Sequence, residues 1–455
     1  MAPKSNVKVN VRPVILLSIL RKILSLCMIN RCWERMEEKI PKTQAAYQPG
    51  RSTTEQVFTI KVLAEKAITS EDYPIHILML DMSKAFDSID RNKLLEHLST
   101  FLEESEIYLL HILINDVVLN VKVGDVLGED IKTNVGTCQG DCLSAILFII
   151  YLAKTMESIP EEPEKEDYGK PMWSSLDWIA EVDRHNISID PKYSDDINFI
   201  RSSQTKVNLL KRKVPELLKE GGLEENSSKR EEYSVKIDGD DEWKKCKVLG
   251  SQIDTETDIK RRQAVAITAF NSLEKIFNCK KLSIRIKMRV FDAYVGNLFL
   301  YNCELWTTGK KINNQIDVIH RKFLRRILNV RWPKTISNVE LYRTVDRESW
   351  SLVVRRKAFS WLGHLLRLDP QTPARRALCE AIKVVKKPEG RPKSTWVSMI
   401  RKSISDNYKI NVDSGVNFSW SDLDITKPDV TFFSELEKLA VDRKIWSQLV
   451  RSIEL

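Results

Sequence analysis

The sequence predicts an α+β fold in which strands are followed by a long helical region. Ile75–Leu80 is an apolar run with the length of a buried strand, and residues 197–200 continue an alternating pattern. Residues 120–126 and 131–134 alternate like the two arms of a hairpin. From residue 260 onward, apolar side chains recur almost entirely at helical spacing. A chain of 455 residues can form two or three domains with cores of their own.

The other elements follow from periodicity and from residues that stop helices. Apolar residues at helical spacing predict a buried helix over residues 14–36. Gly221 and Gly222 end an amphipathic helix that begins at residue 203. Residues 161–167 are acidic and contain a proline, which predicts a surface loop. Further helices are expected over residues 54–67, 92–101 and 139–156, with breaks in the C-terminal region at Trp332-Pro333 and Asp369-Pro370.

Composition argues against a membrane protein or a disulfide-rich secreted protein. The longest apolar stretch, residues 143–153, is too short to cross a bilayer. Residues 1–12 are polar and basic, without the apolar core of a signal peptide. The eight cysteines form no C-x-x-C pair, so reduced thiols are expected and a zinc site is not. We therefore expect an intracellular protein of the nucleus and cytoplasm with no membrane partner; the oligomeric state stays open.

Positive charge is concentrated in one part of the chain. Residues 280–402 contain 28 Lys and Arg against 9 Asp and Glu, a net charge of +19, whereas the remainder carries −10. Such a region suits a polyanionic nucleic acid, although solvated helix faces would give the same excess. Most of the five tryptophans in this region are expected in the core, and one or two are candidates for stacking on bases or ribose: Trp306, Trp332, Trp350, Trp361 and Trp396.

Three aspartates form the candidate catalytic site. Asp81 ends the first apolar strand, and Asp195 and Asp196 stand side by side after Tyr193-Ser194. Carboxylates at strand ends can hold two Mg²⁺ or Mn²⁺ ions close together, which suits in-line phosphoryl transfer. The alternative is that the Asp-Asp pair is an ordinary β-turn, because short polar side chains favour turns.

The order of the surrounding segments resembles a known family. Residues 80–90, the Gly-rich turn and helix over 135–148, and residues 193–196 resemble motifs A, B and C of the reverse transcriptase palm. The sequences of these segments are similar to those in the reverse transcriptases of non-LTR (LINE-type) retrotransposons. Further similar segments are 12–18 (RPVILLS), 44–54 (QAAYQPGRSTT), 226–231 (NSSKRE), 247–250 (KVLG), 300–306 (LYNCELW), 323–328 (FLRRIL), 361–364 (WLGH), 390–393 (GRPK) and 442–446 (DRKIW).

The resemblance implies a right-hand polymerase fold and RNA-directed DNA polymerisation. The expected domains are partial fingers (1–72), a palm with an antiparallel sheet (73–255), a helical thumb and post-thumb (256–370), and a basic linker with a helical tail (371–455). The implied partners are an RNA template, a DNA primer and dNTPs, and the implied cofactors are two Mg²⁺ or Mn²⁺ ions. By the same comparison, the chain looks truncated at its N-terminus and without the family's endonuclease domain.

The resemblance also assigns roles to single side chains. Asp81 and Asp195 would be the direct metal ligands, with Asp196 more peripheral. Phe86 stands where the family has an aromatic steric gate against a 2′-hydroxyl; otherwise it is a packed core residue. Arg12 would grip the triphosphate and Lys229 would protonate or neutralise the pyrophosphate, although in isolation either is an ordinary surface cation.

The segment similar to motif B fits less well. Gly136, Gln139 and Gly140 would shape the nucleotide-binding turn, the glycines by letting the backbone approach closely. Asp141 is unusual for the family and is expected to place a negative charge beside the pocket. Asp87, in the first segment, is expected to be structural, as is Asp90, because aspartate there would cap the next helix.

Three alternatives remain open. A truncated or co-opted relic could keep the fold and the basic surface, bind nucleic acid and lack polymerase activity. An RNA-templated RNA polymerase is disfavoured by Phe86. A nuclease site in the tail would use Asp429, Asp442 and Lys444, although the same residues fit the family's ordinary tail.

Overall fold

The computed structural model describes residues 15–70, 73–115, 117–159, 188–383, 393–408, 420, 423–424, 426–427 and 429–453. Arg12, the acidic stretch 161–167 and most of the basic segment 386–393 lie outside these residues. Helices and antiparallel strands are both present, which confirms the predicted α+β class. None of the described helices has the length and apolarity needed to cross a membrane.

Every pairing between the described strands is antiparallel. The predicted hairpin is present, but its first strand lies three residues earlier than predicted and its second strand is longer than predicted. In chain order the strands are β1 (Ile75–Leu80), β2 (Met82–Ser83), β3 (Val117–Val123), β4 (Val126–Thr133), β5 (Ser188–Ile189), β6 (Lys192–Tyr193), β7 (Asp196–Arg201), β8 (Glu224–Glu225), β9 (Glu231–Val235), β10 (Lys247–Val248) and β11 (Ser251–Gln252).

β1 is central to the main sheet. The strand order is β5-β7-β1-β9, and β6 also pairs with β7. Leu78 and Leu80 point into one hydrophobic cluster, whereas Ile75 and Ile77 point into another on the opposite face. Because both faces of the strand are covered, β1 reads as a continuous apolar run in the sequence.

The helices before residue 260 cover the two faces of this sheet. The predicted helices over residues 54–67, 92–101, 139–156 and 203–220 are all found, with ends shifted by a few residues. The cluster around Leu80 includes residues of α1 and of α3 to α6, whereas α2 contributes to the cluster around Ile77. The bounds are α1 (Ile19–Lys39), α2 (Thr53–Ala67), α3 (Arg91–Ser99), α4 (Glu104–Ile114), α5 (Cys142–Thr155) and α6 (Gln204–Glu220).

α1 buries a different face from the one that its apolar residues predicted. Leu16 and Leu20 are 90% and 79% exposed, and the helix begins after its cap, Ser18. The buried stripe is instead Met28, Cys32 and Met36, at spacings of four residues. Arginines of α1 also form ion pairs with Asp141 and Glu106, contacts that the apolar pattern of the helix could not show.

The region after residue 255 is helical, as predicted. Helices from α7 to α13 build a third cluster around Phe291, Trp306 and Trp350. The predicted breaks fall between α11 and α12 and between α13 and α14. The helices are α7 (Thr255–Ser272), α8 (Glu274–Asn278), α9 (Ile284–Val290), α10 (Asn297–Phe299), α11 (Lys310–Ile327), α12 (Asn338–Val345), α13 (Trp350–Arg367), α14 (Pro373–Ile382), α15 (Trp396–Tyr408), α16 (Asp429–Ala440) and α17 (Arg443–Arg451), with a π-helical segment at Phe291–Gly296.

The C-terminal helices pack against α2. Trp396 is fully buried, stacks edge-on against Phe58 of α2 at 5.1 Å, and donates its indole N–H to the Glu304 carbonyl at 2.9 Å. Phe432 and Trp446 belong to the same cluster. α2 therefore lies between the sheet and the C-terminal helices, which explains why nearly all of its residues are buried.

Candidate active site

The three predicted aspartates lie at the adjoining ends of β1 and β7. Asp81 directly follows β1, Asp196 is the first residue of β7, and Asp195 lies in the loop before it. Leu80 pairs with Ile197, so the antiparallel register places Asp81 opposite Asp196, one position beyond the last pair. Positions that are far apart in the sequence thus meet at one edge of the sheet.

The loop between β6 and β7 is a tight two-residue turn. Tyr193 pairs with Asp196, and Ser194 and Asp195 connect them. Ser194 has φ +57°, in the left-handed region, whereas Asp195 does not have a positive φ. Ser194 is buried, and its backbone contacts the side chain of Gln44. Gln44 lies in a segment that the resemblance included, but nothing in the sequence indicated this contact.

Lys229 contacts the first aspartate directly. Its Nζ donates to Asp81 Oδ2 at 2.6 Å. The preceding backbone is fixed nearby, because the Asn226 N–H donates to the Asp81 carbonyl at 2.8 Å. The Lys229 side chain is 55% exposed and that of Asp81 is 17% exposed. The residue predicted to serve the leaving group thus holds a residue predicted to bind metal.

The donor chemistry of this edge suits a hard divalent cation. Asp81, Asp195 and Asp196 offer carboxylate oxygens, the ligands that Mg²⁺ and Mn²⁺ prefer. Among the described residues, no three His, Cys, Asp or Glu side chains form a ready-made metal site. Mg²⁺ commonly uses one or two protein carboxylates, with water and substrate phosphates completing its shell, so the residues present fit it.

A cavity of about 1460 Å³ lies beside the turn. Its size exceeds that of a typical small-molecule pocket and leaves room for a nucleotide beside a second ligand. Of the described residues predicted for the site, Asp81, Asp196 and Gly136 do not line the cavity. Those that do are Phe86, Gln139, Gly140, Asp195 and Lys229.

Part of the cavity wall was not predicted. Ile29, Asn30 and Trp33 of α1 line it, together with Tyr47 and Pro49 from the segment before α2. Asn30 and Trp33 are three residues apart and share a helix face. Their spacing is visible in the sequence, but it does not show that this face borders a cavity.

The position of Phe86 is compatible with both interpretations offered for it. It lies in the 3₁₀ turn Ala85–Ser88 and forms part of the cavity wall. Its ring packs against Phe148 of α5 with centroids 4.7 Å apart, and Phe148 is fully buried. The ring is therefore supported from behind by the core while it borders the cavity.

The two glycines of the motif B turn are needed for close packing with the protein itself. Gly136 has φ +81°, and a Cβ there would lie 2.8 Å from the Asp87 backbone. Gly140 has φ +114°, and a Cβ there would lie 2.7 Å from the Ile15 carbonyl oxygen. Gln139 is held by its carbonyl, which accepts from the Ile15 N–H at 2.9 Å.

Asp141 lines the cavity, as expected, but its charge is paired within the fold. Its carboxylate is 2% exposed and caps α5 by accepting from the Leu143 N–H at 3.2 Å. Ser25 donates to it at 3.1 Å, and Arg21 forms an ion pair with it at 3.4 Å. The negative charge is therefore neutralised within the fold, because α1 supplies partners that the local sequence could not show.

The two aspartates expected to be structural, Asp87 and Asp90, occupy different positions. Asp90 caps α3 by accepting from the N–H groups of Asn92 and Lys93, as predicted. Asp87 instead lies inside the 3₁₀ turn and lines the cavity, so the capping prediction was wrong for it. Burial raises the pKa of Asp87, and Lys84 partly offsets the effect.

The residues of the suggested tail nuclease have structural partners. Asp442 caps α17 by accepting from the Lys444 N–H at 2.7 Å and from the Ile445 N–H at 3.1 Å. Asp429 forms an ion pair with Arg401. These contacts favour the ordinary tail over a nuclease site.

The hairpin of β10 and β11 contains the segment similar to the primer grip. Leu249 and Gly250 form its turn with φ +44° and +81°. Arg261 donates to the Gly250 carbonyl at 2.5 Å, and the Tyr301 hydroxyl donates to the Leu249 carbonyl at 3.1 Å. Side chains from the helical region after residue 255 therefore hold the carbonyl groups of this turn.

One tryptophan of the basic region is exposed. Trp306, Trp350, Trp361 and Trp396 are buried, as expected of core residues. Trp332 is 90% exposed in the connection between α11 and α12, with exposed Arg331 and Lys334 beside it. Trp332 is thus the member of this set that can offer an aromatic surface to a ligand.

The sequence matches a known family over more than half of its length. The model of the family described as reverse transcriptase (RNA-dependent DNA polymerase) matches residues 2–253. This range contains β1, the turn between β6 and β7, and every described residue lining the cavity. No match was found among curated proteins.

Solved telomerase structures are similar to the chain at low identity. Apo telomerase from Candida tropicalis is 15% identical, with 79% of this chain and 61% of that chain covered and a TM-score of 0.37. Telomerase from Candida albicans, in complex with a TWJ fragment of telomeric RNA, is 12% identical, with 80% and 57% covered and a TM-score of 0.35. A C-terminally truncated apo telomerase from Candida tropicalis is 18% identical, with 47% and 40% covered and a TM-score of 0.31. The chain spans 40% to 61% of the lengths of these proteins.

Proposed function

The chain belongs to the reverse transcriptase (RNA-dependent DNA polymerase) family, and we propose that it extends a DNA primer along an RNA template. The primer 3′-hydroxyl attacks the α-phosphate of a dNTP, a phosphodiester bond forms and pyrophosphate leaves. The observation that carries the proposal is the meeting of Asp81 with Asp195 and Asp196 at one sheet edge, beside a cavity of nucleotide size.

The carboxylates at the sheet edge would hold the metals. Two Mg²⁺ or Mn²⁺ ions, when bound, supply activation of the hydroxyl and neutralisation of the phosphates. Asp81 and Asp195 are the proposed ligands, with Asp196 more peripheral. Their positions are set by strand pairing, because Asp81 and Asp196 flank the last paired residues of β1 and β7. A site on strands is more rigid than one on long loops.

The cavity wall would select and orient the nucleotide. Phe86 supports discrimination against a 2′-hydroxyl, since its ring borders the cavity and cannot retreat into Phe148 behind it. Gln139, whose backbone is anchored to Ile15, offers an amide that can hydrogen-bond the base or the template. Arg12 is proposed to grip the triphosphate on the basis of the sequence resemblance.

Lys229 would act at the departing pyrophosphate. Its Nζ lies 2.6 Å from Asp81 Oδ2, and its exposed side chain can turn toward a bound triphosphate. There it would donate a proton to the leaving group or offset its charge.

The thumb region would hold the nucleic acid. The net charge of +19 over residues 280–402 favours a phosphate backbone, and Trp332 offers a stacking surface between Arg331 and Lys334. The similar segments also favour origin in a non-LTR retrotransposon. We propose on the same basis an intracellular site of action, in the nucleus and cytoplasm.

Primer extension by the purified chain tests the proposal. Primed RNA and primed DNA templates are each supplied with dNTPs or with rNTPs, in Mg²⁺ or Mn²⁺. Extension with dNTPs on primed RNA, lost in an Asp195→Ala, Asp196→Ala variant, is the expected result. Salt-sensitive binding of the primer–template without extension would overturn the proposal in favour of a nucleic-acid-binding relic.

A further inference from the structure

The turn that presents Asp195 is bound by one buried side chain from another segment. The Ser194 N–H donates to Gln44 Oε1 at 2.9 Å, and Gln44 Nε2 donates to the Ser194 carbonyl at 3.3 Å. Gln44 is 1% exposed, and its Oε1 also accepts from the Ala46 N–H at 3.1 Å. A single amide thus satisfies both backbone groups of Ser194.

Gln44 extends a strand-like pairing into the turn. The Lys192 N–H donates to the Thr43 carbonyl, and the Ala45 N–H donates to the Lys192 carbonyl, each at 2.9 Å. Two residues after Lys192, the backbone of Ser194 pairs with the Gln44 side chain and not with main chain. The Gln44 amide can replace main chain here because it carries the same donor and acceptor as a peptide group.

Ser194 needs this support for two reasons. Residues other than glycine rarely adopt a φ of +57°, so surrounding contacts must hold Ser194 in this conformation. Ser194 is also buried, so without Gln44 its N–H and C=O would lose their partners away from water. The next residue along the chain is Asp195, whose direction depends on this turn.

The same segment also borders the cavity. Tyr47 lines the cavity, and its hydroxyl lies 3.1 Å from Ser194 Oγ. Pro49 lines it as well. One short stretch of chain thus contacts the space for the nucleotide and the turn that carries the aspartates.

We propose that Gln44 is a positioning residue, which holds Ser194 in its left-handed conformation and thereby aims Asp195 at the reacting phosphate. The inference rests on the proposed function and deepens it. Gln44 acts through Ser194 and touches neither substrate nor metal in this scheme. Misplacement of a reacting group by about 1 Å can cost roughly 10²-fold in rate, so loss of the amide should slow the chemical step.

Gln44→Met tests this with a side chain of similar length that can neither accept nor donate these hydrogen bonds. The expected result is a fall of about 10²-fold in the single-turnover extension rate, with the primer–template Kd changed less than about twofold. Gln44→Glu keeps the acceptor for the Ser194 N–H and loses the donor, so a fall of about 10-fold is expected. It also provides a second variant if Gln44→Met does not fold.

Gln48→Met is the matched control. Gln48 lies on the same segment and donates to the Gln44 carbonyl, whereas the side chains that hydrogen-bond Ser194 in the described part of the chain are those of Gln44 and Tyr47. Its rate is expected to stay within about threefold of the wild type. Equal losses in Gln48→Met and Gln44→Met would overturn the inference, because general order of the segment would then explain both.

Hydrogen exchange of residues 192–197 gives a readout that does not depend on activity. The Ser194 amide should exchange slowly in the wild type and in Gln48→Met, and at least 10-fold faster in Gln44→Met. Unchanged exchange in Gln44→Met, or an unchanged rate, would overturn the positioning role. An inactive wild type with this exchange pattern would refute the proposed function, and Gln44 would then only stabilise the turn.

Discussion

Side chains around the turn are supported by neighbours that fix their direction. The Phe86 ring packs against Phe148, and Lys229 donates a hydrogen bond to Asp81. One contact is apolar and buried, the other polar and partly exposed, so the two residues should respond differently to substitution. For each residue, the effect of a substitution on the extension reaction can be measured separately from its effect on folding stability.

Phe86→Ala is expected to admit ribonucleotides. Removing the ring opens the cavity where a 2′-hydroxyl would otherwise collide, so the ratio of kcat/KM for dNTP over rNTP should fall by about 10²-fold. The measurement is steady-state extension on primed RNA with each nucleotide. Phe101→Ala, a half-buried phenylalanine away from the cavity, should leave the ratio unchanged. An unaltered ratio in Phe86→Ala would mean that the ring is only a packing residue.

Lys229→Met is expected to slow chemistry with little effect on folding. Partly exposed ion pairs contribute about 0–1 kcal/mol, so the free energy of unfolding should change by no more than that. Loss of the acid or of its charge should lower the single-turnover rate by about 10²-fold. Urea unfolding and rapid-quench extension give the two values. A wild-type rate would exclude a role at the pyrophosphate.

At the scale of elements, α1 is attached to the palm through a buried carboxylate on α4. Glu106 is fully buried and accepts from Arg35 at 2.6 Å and from Arg31 at 2.9 Å. Burial alone would raise its pKa, but the Glu103 N–H and the two arginines outweigh burial and lower the pKa to about 2. This pair of contacts orients the helix that lines the cavity.

Glu106→Gln should therefore destabilise the protein in a pH-dependent way. A carboxylate with a lowered pKa stabilises the fold above its ordinary pKa of 4.5, and the contribution disappears as the pH falls toward 2. We expect a loss of about 1–3 kcal/mol in the free energy of unfolding at pH 7, shrinking below pH ~4.5. Urea unfolding of both proteins from pH 7 downward measures it. A difference that does not vary with pH would contradict the ionised state.

For the whole molecule, the charge is divided between an acidic and a basic part. The sheet edge carries the three aspartates, whereas residues 280–402 carry a net charge of +19 and include the exposed Trp332. A nucleic acid bound by both parts would be held by its phosphates and presented to the aspartates. Binding should then contain a salt-dependent and a stacking component.

Trp332→Ala is expected to weaken binding of a primer–template with a single-stranded overhang by about 10-fold, because one stacking contact is lost. The slope of log Kd against log salt should stay the same. Lys334→Ala should reduce that slope by about one and weaken binding modestly. Fluorescence anisotropy at several salt concentrations separates the two. Equal affinities for Trp332→Ala and the wild type would show that the indole contacts no nucleic acid.

Local patterns in the sequence were sufficient for much of the fold and for selecting the three aspartates that meet at one sheet edge. Continuous apolar residues identified β1, and apolar residues at helical spacing identified α2 and α5. The burial of polar residues on α2, such as Glu55 and Lys61, was not visible in that pattern. The ion pairs of α1, including the one that neutralises Asp141, were not visible because Arg21, Arg31 and Arg35 contact residues far away in the sequence. Gln44 was missed for the same reason: its role is defined by a contact 150 residues away.

The central claim is that carboxylates from two distant segments act as one site. Single-turnover extension of primed RNA by Asp81→Asn, Asp195→Asn and the double variant tests it most directly. Residues that act as a unit are non-additive, so each single change should cost at least about 10³-fold and the double variant should be no slower than the worse single one. Substantial activity in either single variant, or losses that multiply in the double variant, would contradict it.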